Sequence, residues 1–173
     1  MPRVCIIGIP GSGKSTLARR LGAARGLPVV HLDQHYFEPG WQAKAAEDWA
    51  VLEAELLAGE DWILDGAFAV DRAIELADTI VWLDFSRARS MARAVRRNLT
   101  HRRTPPPDFA PGCEERFDKQ FLQLLRYIWR YPTLHDVPKL LMKRGSGVHI
   151  VRLRSPRQVR RYVAASADRA GRR

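Results

Sequence analysis

With 173 residues, 46% of them hydrophobic, the chain has the length and apolar content of one globular domain. It contains no apolar run close to the ~20 residues that span a bilayer, and its first residues predict a strand where a signal peptide would carry charged and apolar regions. Cys5 and Cys113 have no disulfide or metal-ligand spacing, so we expect a cytoplasmic protein that does not contact membranes.

The net charge of +10 is distributed unevenly along the chain. Residues 1–86 hold 7 basic and 13 acidic side chains, residues 87–138 hold 11 and 5, and residues 139–173 hold 11 and 1. This asymmetry predicts an anionic partner for the second half. A polyphosphate substrate and a nucleic acid both satisfy that prediction.

Apolar segments alternate with helical patterns in the order of βαβ units. We predict strands near 3–8, 28–32, 61–65, 78–84 and 147–152, and helices over 14–25, 47–58, 70–76, 87–101, 114–130 and 156–167. The expected fold is therefore α/β, a parallel sheet with helices on both faces in a single domain over 1–173. The Thr-Pro-Pro-Pro-Asp sequence at 104–108 cannot be helical, because proline lacks the donor N–H and disfavours helix in the residue before it. It marks a break where a lid, over about 98–116, could hinge.

A phosphate-binding loop follows the first predicted strand and precedes the first helix. Its sequence matches G-x-x-x-x-G-K-[ST], the pattern in which backbone N–H groups at a helix N-terminus bind phosphate. Glycines permit the tight turn, the lysine reaches the β- and γ-phosphates, and the hydroxyl after it can ligate Mg²⁺. The pattern predicts binding of ATP or another nucleoside triphosphate by Gly8, Pro10, Gly11, Ser12, Gly13, Lys14, Ser15 and Thr16.

Three carboxylates follow predicted strands, where ligands of open α/β sheets bind. A phosphate-binding loop needs one of them to help hold Mg²⁺. We favour Asp65, which precedes Gly66, over Asp84, which a capping role before the next helix would explain. Asp33 lies where an acceptor would arrive and could orient or deprotonate it, or help hold Mg²⁺; a turn-capping role is the alternative. A transition-metal site with His31 and His35 is a weaker interpretation.

Seven arginines and no acidic residue lie between residues 87 and 103. Met91, Val95 and Leu99 at a spacing of four predict the buried side of this helix. We expect Arg87 and Arg89 to be solvated and at least two of the others to contact phosphate, because guanidinium groups neutralise charge on transferring phosphoryl groups. These others are Arg93, Arg96, Arg97, Arg102 and Arg103.

The sequence supports predictions for two further segments, the turn after the last strand and the helix over 114–130. The turn Arg154-Ser155-Pro156 follows the last strand, so it could hold the nucleotide base, although serine before proline also predicts a simple helix cap. In the helix predicted over 114–130, apolar residues at helical spacing predict a stripe packed on the core, namely Phe117, Phe121, Leu124, Leu125 and Ile128.

Taken in order, these motifs resemble the adenylate kinase-like P-loop kinases, and most closely the bacterial proteins labelled DNA topology modulation proteins. The likeness covers nearly the whole chain, including His31-Leu32-Asp33, Pro39-Gly40-Trp41, Trp82-Leu83-Asp84 and Trp129-Arg130-Tyr131-Pro132. It implies a P-loop NTPase fold of three α/β/α layers, with a five-stranded parallel sheet in which the Asp65 strand lies beside the P-loop strand. It also implies a helical, arginine-rich lid containing Arg102 and Arg103, adenine contact by Arg93 and phosphate contact by Arg97.

The chain departs from adenylate kinases at the acceptor motif. Asp65-Gly66-Ala67-Phe68-Ala69 stands where they have Asp-Gly-Phe-Pro-Arg, so the arginine that recognises the acceptor phosphate is missing; Arg72 could substitute. The sequence therefore predicts a Mg²⁺- and ATP-dependent kinase with a small anionic or hydroxyl-bearing acceptor. A nucleic-acid-binding ATPase or regulator is the main alternative, and nucleotide binding without turnover is a third.

Overall fold

The computed structural model describes residues 2–66, 70–100, 109–113, 117–134, 137–143 and 147–170. Its elements, in chain order, are β1 (Arg3–Gly8), α1 (Lys14–Arg25), β2 (Val29–His31), α2 (Leu32–Tyr36), β3 (Phe37–Glu38), β4 (Gln42–Ala43), α3 (Ala46–Leu56), β5 (Trp62–Asp65), α4 (Asp71–Leu76), β6 (Thr79–Leu83), α5 (Arg87–Thr100), α6 (Lys119–Leu134), α7 (Val137–Lys143), β7 (His149–Leu153) and α8 (Pro156–Ala170).

Five strands form one parallel sheet in the order β2-β5-β1-β6-β7. In this register Ile6 of β1 lies opposite Asp65 on one side and Val81 on the other. The predicted α/β fold is confirmed, and the Asp65 strand is the neighbour of the P-loop strand. Because all five strands run the same way, their carboxyl ends meet at one edge of the sheet, which also receives the P-loop.

Both faces of the sheet are covered, as expected for a parallel sheet in three layers. On one face, Cys5, Ile7 and Leu64 pack with Ile74 and other buried residues of α3, α4 and α7. On the opposite face, Val4, Ile6 and Ile63 pack with Leu17 and Leu21 of α1, and α8 adds partly buried residues. Each fully buried Leu or Ile contributes about 1.5–3 kcal/mol of hydrophobic stabilisation, so the alternating side chains of the strands hold both helical layers.

Three short elements were not predicted. They are α2, directly after β2, the two-stranded antiparallel hairpin of β3 and β4, and α7. Each has seven residues or fewer, too few for hydrophobic periodicity to show. The hairpin turns through Gly40 and Trp41, whose φ angles are +78° and +62°. Tryptophan rarely adopts a positive φ angle, so its presence in a sequence does not predict a turn.

Two predicted apolar stripes differ from those observed. In α5 the buried residues are Ser90, Ala94 and Asn98, whereas the predicted Met91 and Val95 are partly buried and Leu99 is 53% exposed. Because two of these three buried residues are polar, a hydrophobicity pattern does not detect the buried face of α5. In α6, Phe121 and Ile128 are buried as predicted, but Phe117 precedes the helix and is 51% exposed, with its ring against that of Phe121 at 5.0 Å.

Part of the predicted lid lies outside the described residues. Residues 101–108 and 114–116 belong to that part, and with them Arg102 and Arg103. Within the described ranges, no helix is both long enough and apolar enough to cross a bilayer.

Candidate active site

The P-loop conformation depends on three glycines. Gly8, Gly11 and Gly13 have φ angles of +149°, +81° and +98°, which L side chains rarely adopt. A side chain at Gly8 would also lack space, because its Cβ would lie 2.7 Å from the Leu83 carbonyl oxygen. The Ser12 N–H donates to the Ile9 carbonyl at 3.0 Å, and α1 begins directly after Gly13. The result is a tight strand-to-helix turn at the positive end of a helix, which favours bound phosphate.

Lys14 is buried in this loop. Its Nζ donates a 3.0 Å hydrogen bond to the Gly8 carbonyl oxygen, and the residue is only 6% exposed. Burial lowers the pKa of Lys14 from its ordinary value, the negative charges of Asp33 and Asp65 oppose that change, and Arg97 adds to it. The ammonium group thus lies among two carboxylates and one guanidinium at the carboxyl edge of the sheet.

Ser15 and Asp65 join the P-loop to the neighbouring strand. The Ser15 hydroxyl donates a 2.8 Å hydrogen bond to Asp65 Oδ2, and Asp65 Oδ1 contacts His31 Nδ1. Asp65 is 3% exposed. A hydroxyl and a carboxylate side by side at the phosphate site are the hard oxygen donors that Mg²⁺ prefers, so these residues fit the metal that the sequence predicts.

Ser12 also fits a bound nucleotide. Its hydroxyl is buried and has no hydrogen-bond partner in the described structure. An unpaired buried hydroxyl costs free energy, and an anionic ligand on the loop would supply the missing acceptor.

Asp33 lies at the start of α2 and faces the same edge. Its Oδ1 lies 3.4 Å from the position that a Cβ on Gly66 would occupy. Its charge opposes the lowering of the Lys14 pKa, and, after burial, it helps to raise the pKa of Tyr127 to about 12. These effects place the Asp33 carboxylate near both the P-loop and helix α6.

The weaker metal interpretation finds no support around Asp33. Among the described residues, no three His, Cys, Asp or Glu side chains form a group that could hold a metal ion. Burial, His31 and Lys44 together lower the pKa of His35, which favours its neutral ring.

Asp84 and the Arg154-Ser155-Pro156 turn interact with each other. Asp84 Oδ2 accepts hydrogen bonds from Arg152 Nη2 at 2.7 Å and Nε at 2.9 Å, and lies 3.6 Å from Arg154 Nε. The Ser155 hydroxyl accepts from the Gln158 N–H at 3.3 Å, while the Gln158 side chain accepts from the Arg154 N–H at 2.6 Å. Ser155 therefore caps α8, and Asp84 pairs with arginines and does not cap α5.

A cleft of about 600 Å³ opens beside the P-loop. Its apolar lining comes from Leu17, Leu83, Phe85, Ala92, Pro156 and Val159, and Ser12, Gly13 and Thr16 form the end next to the phosphate site. Arg93 Nη1 donates to the Ser12 carbonyl oxygen at 3.2 Å. Of the turn predicted to hold the base, Pro156 alone lines this cleft. Its size and mixed lining suit a nucleotide base and ribose.

Among the described residues, five arginines line the same cleft, and the sequence interpretation included only two of them as phosphate contacts. Arg93 and Arg96 are among the arginines predicted to contact phosphate, Arg89 was predicted to be solvated, and the sequence predicts no contact for Arg20 or Arg160. Helical spacing indicates both Arg20 and Arg160. Arg20 stands four residues after Thr16 on one face of α1, and Arg160 stands four residues after Pro156 on one face of α8. Arg89 also lies 5.5 Å from the Phe85 ring.

Arg87 and Arg97 lie outside that cleft. Arg87 is exposed but not merely solvated, since it stacks on Trp129 at 4.6 Å and donates to its carbonyl at 3.2 Å. Arg97 lies over the Phe109 ring at 4.9 Å, and its charge adds to the lowering of the Lys14 pKa. Arg72 lies near Glu53. Burial raises the pKa of Glu53, and the charge of Arg72 offsets part of that increase.

An aromatic series follows Asp33 in the chain. The rings of Phe37 and Trp41 lie 5.3 Å apart, and those of Trp41 and Phe109 5.4 Å apart, so they connect the β3–β4 hairpin to Arg97. The hairpin is fixed to residues 109–113 by a Gly40 N–H to Gly112 carbonyl bond at 3.0 Å and a Cys113 Sγ to Glu38 carbonyl bond at 3.0 Å. Sequence patterns do not reveal this long-range contact.

Comparison with known proteins identifies the fold. No protein-family model and no curated protein matches the sequence. Among solved structures, a gluconokinase from Sinorhizobium meliloti 1021 is 21% identical with a TM-score of 0.51, over 96% of this chain and 91% of that one. A shikimate kinase from Acinetobacter baumannii, solved in complex with shikimate, is 17% identical with a TM-score of 0.58, over 95% and 90%. The chain therefore has the α/β fold of these two kinases.

Proposed function

We propose that this protein is a kinase that transfers the γ-phosphoryl group of Mg-ATP to a small molecule bearing a hydroxyl or phosphate group. One observation carries the proposal. The hydrogen bond between Ser15 and Asp65 joins a complete P-loop to a buried carboxylate on the adjacent strand, while Asp33 faces the same space. A turn that merely connects a strand to a helix would require none of these three groups.

Each group has a role in phosphoryl transfer. The P-loop N–H groups and Lys14 bind the β- and γ-phosphates, and Arg93 and Arg97 neutralise charge from the side of α5. Ser15 and Asp65 would hold Mg²⁺, which when bound neutralises charge on the phosphate oxygens. Asp33 would orient the acceptor and accept the proton of its hydroxyl group. Arg103 and the remaining lid residues stay a prediction, because they lie outside the described residues.

Two observations favour a hydroxyl-bearing metabolite over AMP as the acceptor. Ala69 stands where adenylate kinases carry the arginine for the acceptor phosphate, and Arg72, the candidate substitute, lies near Glu53. The gluconokinase and the shikimate kinase are named for small hydroxylated acids. Neither structure supports the alternative of a nucleic-acid-binding ATPase, and neither links the chain to DNA topology.

The test is transfer of label from γ-labelled ATP in the presence of Mg²⁺. We would incubate the purified protein with pools of sugar acids, metabolite alcohols, nucleosides and nucleoside monophosphates. Labelled product should require both a pool and Lys14, and Asp33→Asn should reduce the rate by a factor on the order of 100 or more while ATP still binds. Lys119→Ala, which removes an exposed lysine at the start of α6, is the matched control.

Two results would count against the proposal. Full transfer by Lys14→Ala would show that the P-loop is not the donor site. Tight ATP binding without transfer to any pool would favour nucleotide binding without turnover.

A further inference from the structure

Both carboxylate oxygens of Asp65 are in polar contact. Oδ2 accepts the 2.8 Å hydrogen bond from the Ser15 hydroxyl, and Oδ1 contacts Nδ1 of His31. Ser15 and Asp65 form the proposed Mg²⁺ site, and the Asp33 carboxylate faces the same space. His31 has no part in that proposal, although it contacts one of the two proposed metal ligands.

The sheet register creates the contact between His31 and Asp65. The two residues end β2 and β5 and lie opposite each other in the parallel pairing of these strands. Neighbouring strands are about 4.8 Å apart and side chains alternate between the two faces, so two residues in register lie side by side on one face. Both side chains are largely buried, with 14% of His31 and 4% of Asp65 exposed. The contact is therefore fixed by the backbone and shielded from solvent.

This contact restricts the Asp65 carboxylate. The terminal torsion of an aspartate has broad energy wells, so the group can turn unless its oxygens are held. An ionised carboxylate only accepts hydrogen bonds, so Nδ1 of His31 is the donor. With Ser15 donating to one oxygen and His31 to the other, the plane of the carboxylate is fixed at the end of β5.

The effect of His31 extends to Ser15 through Asp65. A serine hydroxyl has one proton and two lone pairs. The Ser15 proton is donated to Asp65, which leaves the lone pairs of the same oxygen for a metal ion. The direction of that proton depends on where Asp65 Oδ2 lies, and His31 restricts that position through Oδ1. A histidine outside the metal site would thus orient both proposed ligands.

We infer that His31 is a positioning residue for Mg²⁺, which acts through Asp65 and Ser15 and not on the metal or the nucleotide directly. The inference rests on the proposed function and assigns this histidine a place in it. Loss of a hydrogen-bond partner of a metal-binding group typically lowers metal affinity by about 10- to 100-fold. If His31 only held β2 against β5, its removal would instead lower stability and weaken nucleotide binding equally with and without Mg²⁺.

The test measures how much Mg²⁺ strengthens nucleotide binding. Isothermal titration calorimetry with the β,γ-imido analogue of ATP, in excess Mg²⁺ and in EDTA, gives two dissociation constants whose ratio is the Mg²⁺-dependent gain in affinity. His31→Leu keeps a similar shape and removes the donor. We expect it to reduce the gain about tenfold or more and to leave the dissociation constant in EDTA nearly unchanged.

Two further variants control for the loss of a histidine. His149→Leu removes an exposed histidine at the start of β7 and should behave like the wild-type protein. His31→Asn retains an N–H donor the same number of bonds from the backbone as Nδ1, so it should keep most of the gain. Urea unfolding without nucleotide measures the stability of each variant.

A double-mutant cycle tests whether His31 acts through Asp65. Asp65→Asn alone should reduce the Mg²⁺-dependent gain, and adding His31→Leu to it should cost little more. Residues that act as one unit give such non-additive losses.

Three results would overturn the role of His31. They are an undiminished gain in His31→Leu, equal losses of affinity in Mg²⁺ and in EDTA, and additive losses in the cycle with Asp65→Asn. If His31→Leu does not fold, His31→Asn decides, because a gain reduced as far as in Asp65→Asn would contradict the retained donor. Label transfer that depends on Lys14 would in each case leave the proposed function standing. Failure of the wild-type protein to bind the analogue under either condition would overturn both proposals.

Discussion

The guanidinium of Arg93 is hydrogen-bonded to the backbone of Ser12, with 3.2 Å between Arg93 Nη1 and the Ser12 carbonyl oxygen. It also closes over the loop, because a Cβ on Gly13 would lie 2.7 Å from Arg93 Nη2. Helix α5 is thereby tied to the P-loop through one side chain. An arginine that would contact bound phosphate in the proposed function already helps to hold the P-loop in place.

Arg93→Ala should therefore weaken ATP binding by about 10- to 100-fold, the value of one or two hydrogen bonds that involve a charged group. The dissociation constant can be measured by calorimetry. Arg157→Ala, on an exposed position of α8 outside the cleft, should leave it unchanged. Unaltered affinity in Arg93→Ala would show that this guanidinium does not contact the nucleotide.

Gly13→Ala should weaken nucleotide binding. The added methyl group meets the Arg93 guanidinium, and φ of +98° strains an alanine by about 1–2 kcal/mol. Gly26→Ala is the control for backbone strain alone, because Gly26 has φ of +66° and open space to 4 Å around the position that a methyl group would occupy. It should lower stability by a similar amount, measured by urea unfolding, with ATP affinity retained.

The protein should lose stability as pH rises from about 10 toward 12. Burial and then the charge of Asp33 raise the pKa of Tyr127 to about 12, and burial raises the pKa of Tyr131. In the unfolded chain both phenols ionise near pH 10, so in this window the unfolded state binds fewer protons and stability falls. Tyr127→Phe should lessen the decline by about 1 kcal/mol after solvent screening. Urea unfolding at pH 9 and 11.5 measures it, and an equal decline in the variant would contradict the assignment.

Docking of the β3–β4 hairpin should matter for the acceptor and not for ATP. A Cβ on Gly112 would lie 2.9 Å from Pro39 Cβ, so Gly112→Ala should displace the hairpin that follows Asp33 and cost about 1–3 kcal/mol through overpacking. Gly40→Ala has nearly the same φ, +78° against +76°, with open space around it, and serves as the control. We expect the acceptor KM to rise several-fold in Gly112→Ala alone. A changed affinity for ATP with an unchanged acceptor KM would contradict this placement.

The main fold was predictable because its signals are local. Apolar runs give the five central strands, and the glycine spacing before Lys14 gives the P-loop. Hydrophobicity patterns fail at α5, because its buried face contains the polar residues Ser90 and Asn98.

The sequence predicts individual residues of the candidate site but not their arrangement. Lys14, Ser15 and Asp65 come from motif and strand position, and the sheet order brings them together. Arg20 and Arg160 line one cleft because α1 packs against α8, and the hairpin contact with Gly112 joins residues more than 70 positions apart. Helical spacing places Arg20 on the face of Thr16 and Arg160 on the face of Pro156, but the packing of the two helices and the hairpin contact have no signature in a single sequence.

The strand order also sets when the P-loop can form. Strand β1 precedes the other strands of the sheet in the chain and leaves the ribosome before them, yet its neighbours are β5 and β6, which end at Asp65 and Leu83. Until those residues have been synthesised, β1 lacks both of its neighbouring strands, and its backbone hydrogen bonds to them cannot form. The P-loop is therefore enclosed by its neighbouring strands only well after its own sequence has been translated. Nucleotide binding can select the folded state only once β5 and β6 have been made.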